Sequence, residues 1–205
     1  MSNNDETDFV QQLQTGDEQS FREFMALYKK KAYSLAYGLT GNHHDAIELS
    51  QEAFTKAYFA IKSFKQKSSL YTWFCRILIN LCLRHNKKQA KWPKLFFTAN
   101  KQQARDNPDA ISEETVAAIS VEAAAGISGA AAQLLNNELR QKIDQAVQKL
   151  PEYQKLVFIL REVEGLTIEQ TAEIMACRPG TVKSHLYRAR RKLRKLLLPY
   201  LKGRE

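Results

Sequence analysis

Val182, Leu186, Ala189, Leu193 and Leu196 recur at steps of three and four residues, which at 100° per residue makes one narrow stripe of an α-helix. Lys183, Ser184, Tyr187, Arg188, Arg191, Arg194 and Lys195 fall on the opposite side. A helix divided in this way must bury one face and leave the other cationic and exposed. Its start is placed at Pro179, because a proline in the first helical turn gives up only an N–H that has no partner there. Upstream, Thr167 to Met175 predicts a short helix: Thr167 and Gln170 have capping-box spacing, and Ala172 is small enough to let another helix cross closely. A turn at Ala176-Cys177-Arg178 joins the two. Short helix, turn and basic second helix together predict a helix-turn-helix, whose second helix enters the major groove by its N-terminal turns.

On that helix Lys183, Ser184, Tyr187 and Arg188 sit early enough to reach base edges, and Arg188 suits a bidentate contact with guanine. Arg178 and Thr181 flank its start as further DNA-contacting positions. Arg191, Arg194 and Lys195 come one or two turns later, where a straight helix leaves the groove, so they suit phosphate or plain solvent. Two helices frame the motif. Leu139, Ile143, Val147 and Leu150 mark the first; the second opens at Pro151, turns Leu156, Ile159, Leu160 and Val163 inward, and stops at Gly165.

From Phe9 to about Lys88 the periodicity is again helical, and no strand is expected. Phe21, Phe24, Tyr28, Ala32, Leu35 and Leu39 form a buried stripe that Gly41 terminates. In the following helix Ala46, Leu49, Ala53, Ala57 and Ala60 make a small-residue inner face, while Asp45, Glu48 and Glu52 form an acidic ridge. On spacing alone the ridge is equally a solvated face or a docking surface for a basic protein partner, since acid repels DNA. His43 and His44 point in different directions, without cysteine or histidine partners at ligand spacing, and predict no metal site. A later helix buries Leu70, Phe74, Ile77 and Leu81. Along its flank Trp73, Arg76, Asn80, Arg84 and Lys87 combine an aromatic plane, cations and an amide, an inventory that suits unpaired nucleotides. Read by itself, Trp73 fits a core position better than a stacking platform.

A formal charge of +9 directs attention to a polyanionic partner without identifying it. Cys75, Cys82 and Cys177 are too scattered for a zinc site or a disulfide framework, so a reducing compartment is expected. The acidic start, Met1 to Glu6, is not a signal peptide, and no apolar run reaches spanning length. The chain is therefore expected to be cytoplasmic and not inserted in a membrane. The expected architecture is all-α: a disordered stretch over 1–8, a helical domain over 9–90, a flexible linker over 91–137, and a four-helix domain with the helix-turn-helix over 138–205.

Three segments carry a resemblance. Asp45-Ala46-Ile47-Glu48-Leu49-Ser50-Gln51-Glu52-Ala53-Phe54 resembles D-A-E-D-L-x-Q-E-x-F, Thr72-Trp73-Phe74 through Asn80 resembles T-W-L-x-x-I-x-x-N, and Gly180 to Ser184 resembles G-T-V-K-S-R. In this order they resemble the extracytoplasmic-function (ECF) sigma factors, two-domain promoter-recognition subunits of bacterial RNA polymerase. The sequence departs from that pattern at Ile47 and Glu48, at Arg84, and at His185 where an arginine is usual.

The resemblance implies that Asp45, Glu48, Leu49, Gln51, Glu52 and Phe54 contact the β′ clamp helices of core polymerase, with the β flap as a further contact of the protein. It implies that Phe64, Lys65, Tyr71, Trp73, Arg76, Asn80 and Arg84 capture unstacked bases of the -10 element. The helix-turn-helix, through Arg178, Thr181, Lys183, Ser184, Tyr187, Arg188 and Arg191, would read the -35 duplex. An anti-sigma factor is an implied partner. No cofactor is expected. No clustered carboxylates, phosphate-cradling glycine loop or positioned nucleophile suggests an enzyme. The competing reading is a dimeric helix-turn-helix regulator acting without polymerase.

Overall fold

The computed structural model describes residues 3–89 and 130–202, with side chains over 5–86 and 138–200. Every element among the described residues is helical, in agreement with the all-α expectation. The expected linker falls largely outside the described residues, although its last part, from Ala130, already belongs to a helix.

The first helix, α1 (Asn3–Thr15), begins inside the stretch expected to be disordered. Two contacts hold it. Phe9, Val10 and Leu13 are buried, and the Glu6 carboxylate accepts a hydrogen bond at 2.5 Å from the N–H of Leu70, far along the chain. Helix α2 (Glu18–Thr40) is capped by Asp17, whose side chain accepts from the N–H of Ser20 at 2.7 Å. It stops at Gly41, which takes the left-handed conformation a C-cap requires (φ 71°) and returns its N–H to the carbonyl of Tyr37. Asn42 caps α3 (His43–Ala60) by accepting from the N–H groups of His44 and Asp45.

A short 3-10 turn (Ile61–Ser63) and a loop lead to α4 (Leu70–Gln89). Fully buried Ala46, Ala53 and Ala57 let α3 lie close against its neighbours. The centre of this domain is aromatic: Phe24 meets Phe54 and Phe74 edge-on at 5.6 and 5.3 Å, and Phe54 stacks on Phe74 at 4.7 Å. Such geometry contributes about 0.5–1.5 kcal/mol per pair beyond area burial.

The second domain comprises α5 (Ala130–Gln148), α6 (Glu152–Phe158), a π-turn (Ile159–Val163), α7 (Ile168–Ile174) and α8 (Pro179–Lys202). The Thr167–Gln170 capping box forms in both directions. Helix α8 starts at Pro179 and buries Val182, Leu186, Ala189 and Leu193 where it packs on α6 and α7. Val163, expected inward, is 54% exposed. The π-turn is the reason: the N–H of Glu164 bonds to the carbonyl of Ile159, five residues back. The wider turn shifts the positions that follow out of the 3.6-residue phase.

The two domains pack against each other along α2, α4 and the π-turn. A Cβ on Gly38 would lie 2.9 Å from Cδ1 of Ile159, so a larger residue here would push the Ile159 side chain aside. Gln148 spans the same seam, donating to the carbonyl of Gly38 at 3.0 Å while accepting from Lys155 at 2.8 Å.

Candidate nucleic-acid interfaces

Helix α8 presents the face its sequence predicts. Arg178, Lys183, Tyr187, Arg188 and Arg191 are exposed, and Thr181 and Ser184 are half-buried at the helix start. Ser184 returns its hydroxyl to the carbonyl of Gly180 at 3.0 Å. Arg190 points elsewhere and pairs with Glu162 at 2.7 Å, tying α8 to the π-turn. His185, between the reading positions and the interior, stacks on Tyr153 at a ring separation of 5.7 Å and has a buried Nδ1 without a hydrogen-bond partner. Burial first, and the neighbouring Arg188 guanidinium second, hold its pKa below the ordinary histidine range. It is a packed ring on the inner side of the reading face.

The α4 flank is only partly available. Lys65 and Arg84 are exposed, and Trp73, Arg76 and Asn80 are half-buried. Phe64 and Tyr71, both expected at a strand-binding surface, are buried, with 8% and 9% of their surface exposed. Phe64 turns inward because its ring packs on Trp73 at 5.0 Å. Tyr71 lies beneath the Lys31 ammonium, 4.8 Å from the ring centroid, stacks on Tyr28, and donates its hydroxyl to Glu164 of the second domain. Arg76 donates to both the carbonyl and the carboxylate of Glu173 at 2.8 and 3.0 Å. The side chain of Lys87 lies outside the described residues.

Helix α1 shapes the loop before α4. Gln14 donates to the carbonyls of Ile61 and Phe64 at 3.2 and 2.8 Å, and Glu6 takes the first free N–H of α4. Ser69 supplies the next acceptor, receiving the N–H of Thr72 at 3.1 Å. Both the exit and the re-entry of the loop are thereby fixed, with Gln66 at positive φ (52°) between them. No local pattern announces Glu6 or Gln14, since their partners lie about fifty or more residues away.

The acidic ridge of α3 faces outward at Glu48 and Glu52, and Gln51 is exposed beside them. Asp45 is half-buried and paired with His85 at 3.1 Å. Leu49 and Phe54, expected among the polymerase contacts, are 6% exposed and belong to the core, because their positions face α2 and α4. Ile47 and Tyr58, 39% and 45% exposed, share one line of the helix with Gln51; Phe59, 75% exposed, continues the line of Glu48 and Glu52. The sequence reading missed these three. Bulky apolar residues opposite a small-residue inner face are the signal that could have found them. His44, Asp45 and Glu48 also hold their ligand atoms within 4.8 Å of one another, on an exposed turn where Asp45 is already engaged by His85.

Two helical domains, one bearing a helix-turn-helix with an exposed cationic face and the other a helix flanked by aromatic and cationic groups, define a nucleic-acid-binding protein. The family description "Sigma-70 region 2" matches residues 24–91 and "Sigma-70, region 4" matches 140–193. The chain is 33% identical over 195 residues to the ECF RNA polymerase sigma-E factor of Escherichia coli, covering 94% of each. It is 32% identical over 188 residues to the ECF RNA polymerase sigma factor SigW of Bacillus subtilis, covering 92% of this chain and 94% of that one. The chain belongs to the ECF sigma factors of the sigma-70 family, and its function is to direct RNA polymerase to promoters. The fold is also that of CnrH, solved in complex with the cytosolic domain of CnrY: TM-score 0.64 at 17% identity, over 94% of this chain and 96% of that one.

Proposed function

We propose a division of this function among three helices. Helix α8 reads the -35 duplex through Lys183, Ser184, Tyr187 and Arg188, with Arg178, Thr181 and Arg191 holding its ends on the backbone. The α4 flank, with Lys65, Trp73, Arg76, Asn80 and Arg84, takes the unpaired -10 strand. Helix α3 docks on the β′ clamp helices through Asp45, Glu48, Gln51 and Glu52, with Ile47, Tyr58 and Phe59 as its apolar contacts. The second domain meets the β flap. Polymerase supplies all the chemistry, in the cytoplasm; no helix among the described residues is long and apolar enough to cross a membrane. An anti-sigma factor is the proposed inhibitory partner.

The observation that carries this reading is the separation of charge on a chain of net +9: acid and exposed apolar side chains on α3, exposed cations on α8. An acidic apolar face repels DNA and suits a basic protein helix. The test is run-off transcription on a promoter library with core polymerase of the matching species, with and without this protein. Promoter-dependent initiation is expected only when the protein is present; its absence would reject the assignment. A dimeric regulator would need no first domain of this kind, and the match over 24–91 favours the sigma reading.

A further inference from the structure

Between α1 and the loop that precedes α4 lies an open cavity of about 320 Å³, lined by Glu6, Thr7 and Val10 of the helix and by Phe64, Gln66 and Ser68 of the loop. Ligand pockets run from about 300 to 1,000 Å³, so this one suits a single flat ring. It adjoins the face that the proposed function gives to the -10 strand. Phe64 lines the cavity and packs on Trp73 at 5.0 Å, and Trp73 is half-buried on the α4 flank.

The walls differ in chemistry. Val10 and Phe64 are apolar and buried. Glu6 accepts the N–H of Leu70 at 2.5 Å, a bond that fixes the carboxylate against the start of α4. A carboxylate has lone pairs for several donors and no donor of its own, so this one bond leaves it able to accept more. The Ser69 hydroxyl is already committed, donating to Oγ1 of Thr72 at 2.9 Å and accepting the N–H of Thr72 at 3.1 Å. Ser68 and Gln66 bring a hydroxyl and an amide, each able to donate. A phosphate is repelled from such a site, whereas the edge of a base is not. Cytosine and adenine present an amine, and thymine presents a carbonyl oxygen in its place.

We propose that Glu6 is a base-selecting residue for the -10 strand: one unstacked base enters between α1 and the loop, and its exocyclic amine donates to the Glu6 carboxylate. This rests on the assignment of the α4 flank to that strand. Phe64 and Val10 pack on the ring, and a donor from Ser68 or Gln66 meets the ring nitrogen beside the amine. Cytosine and adenine are accepted; thymine sets one oxygen against another and is refused. Lys65 and Lys67, exposed on the same loop, take the flanking phosphates, so the acid stands only where the backbone does not.

The full chain assembled with core polymerase of the matching species tests this. Labelled single-stranded non-template oligonucleotides carry cytosine, adenine, thymine or an abasic sugar at each -10 position in turn, and affinity is read by fluorescence anisotropy. At one position the complex should favour cytosine or adenine over thymine by about tenfold. Glu6→Gln keeps an acceptor for Leu70 and adds an N–H that thymine can use, so the preference should collapse at that position and persist at the others. Thr7→Phe, at an exposed site, fills the cavity and should level all four strands there. Affinity for a -35 duplex should be unchanged in both. If Glu6 only braced α4, Glu6→Gln would lower the melting temperature and leave every base ratio as it was; that result overturns the proposal. Failure of the unmodified complex to bind any strand would instead reject the α4 assignment, and this inference with it, so the two failures are distinguishable.

Discussion

Helices α4 and α8 carry nearly the same inventory of side chains, an aromatic ring with arginines and a short polar group at helical spacing, yet they stand in opposite states. On α8 the buried stripe lies on one side only, and Tyr187 is 49% exposed. On α4 both sides are used: Leu70, Phe74, Leu78 and Cys82 are buried in the first domain, while Tyr71 and Arg76 are taken up by Glu164 and Glu173 of the second. Residue composition thus specifies what a helix can bind. Tertiary contact decides whether it is free to do so.

The largest expected effect separates the two helices by stability. Phe74→Ala removes the ring that contacts Phe24 and Phe54, and should destabilise the first domain by about 3–5 kcal/mol in urea denaturation. If the domains fold as separate units, binding of -35 duplex by α8 survives it; loss of both would show that the seam makes them one unit. Next, Arg188→Ala should weaken duplex binding by about 1–3 kcal/mol at one base pair, read by competition with single-base variants of the site. A uniform loss across all variants would make Arg188 a phosphate contact.

Smaller still is Gln14→Leu, which leaves the carbonyls of Ile61 and Phe64 without a donor and should cost about 1–2 kcal/mol of stability. Its distinguishing sign is weaker discrimination among single-strand sequences with duplex binding untouched; equal discrimination would mean that the loop keeps its shape without α1. The smallest effect belongs to His185. Its folded pKa is lowered, so the folded domain binds the proton less readily than the unfolded chain. Stability of the second domain is therefore fullest above the ordinary histidine range, near about 6.5, and declines as pH falls below it. Melting temperatures at neutral and mildly acidic pH should show this decline, and His185→Gln should reduce it.

The features legible in the sequence were local. The α8 stripe, the Thr167–Gln170 box, the glycine stop at Gly41 and the small inner face of α3 each depend on neighbours within one or two turns. Whatever rests on distant pairing was not legible. Phe64 and Tyr71 belong to an aromatic-rich loop and helix that could serve a nucleotide, but Trp73 and Glu164 decide their burial. Leu49 and Phe54 sit within a motif that mixes core with surface, and periodicity separates them from Glu48 and Glu52 only once the inner face is known. The π-turn leaves no mark in composition, because one additional residue in a turn alters phase and not residue type. Helix α1 begins at Asn3, inside the stretch expected to be disordered, and the partner that holds it is the start of α4.

Helix α1 has a practical consequence for transplanting promoter preference between related chains. The residues that bracket the loop before α4 sit at Glu6 and Gln14, upstream of the 24–91 segment that the region 2 description spans. A chimera cut at that boundary inherits the loop's sequence but joins it to a foreign splint. Moving the loop with its bracing intact requires the graft to begin at the first helix.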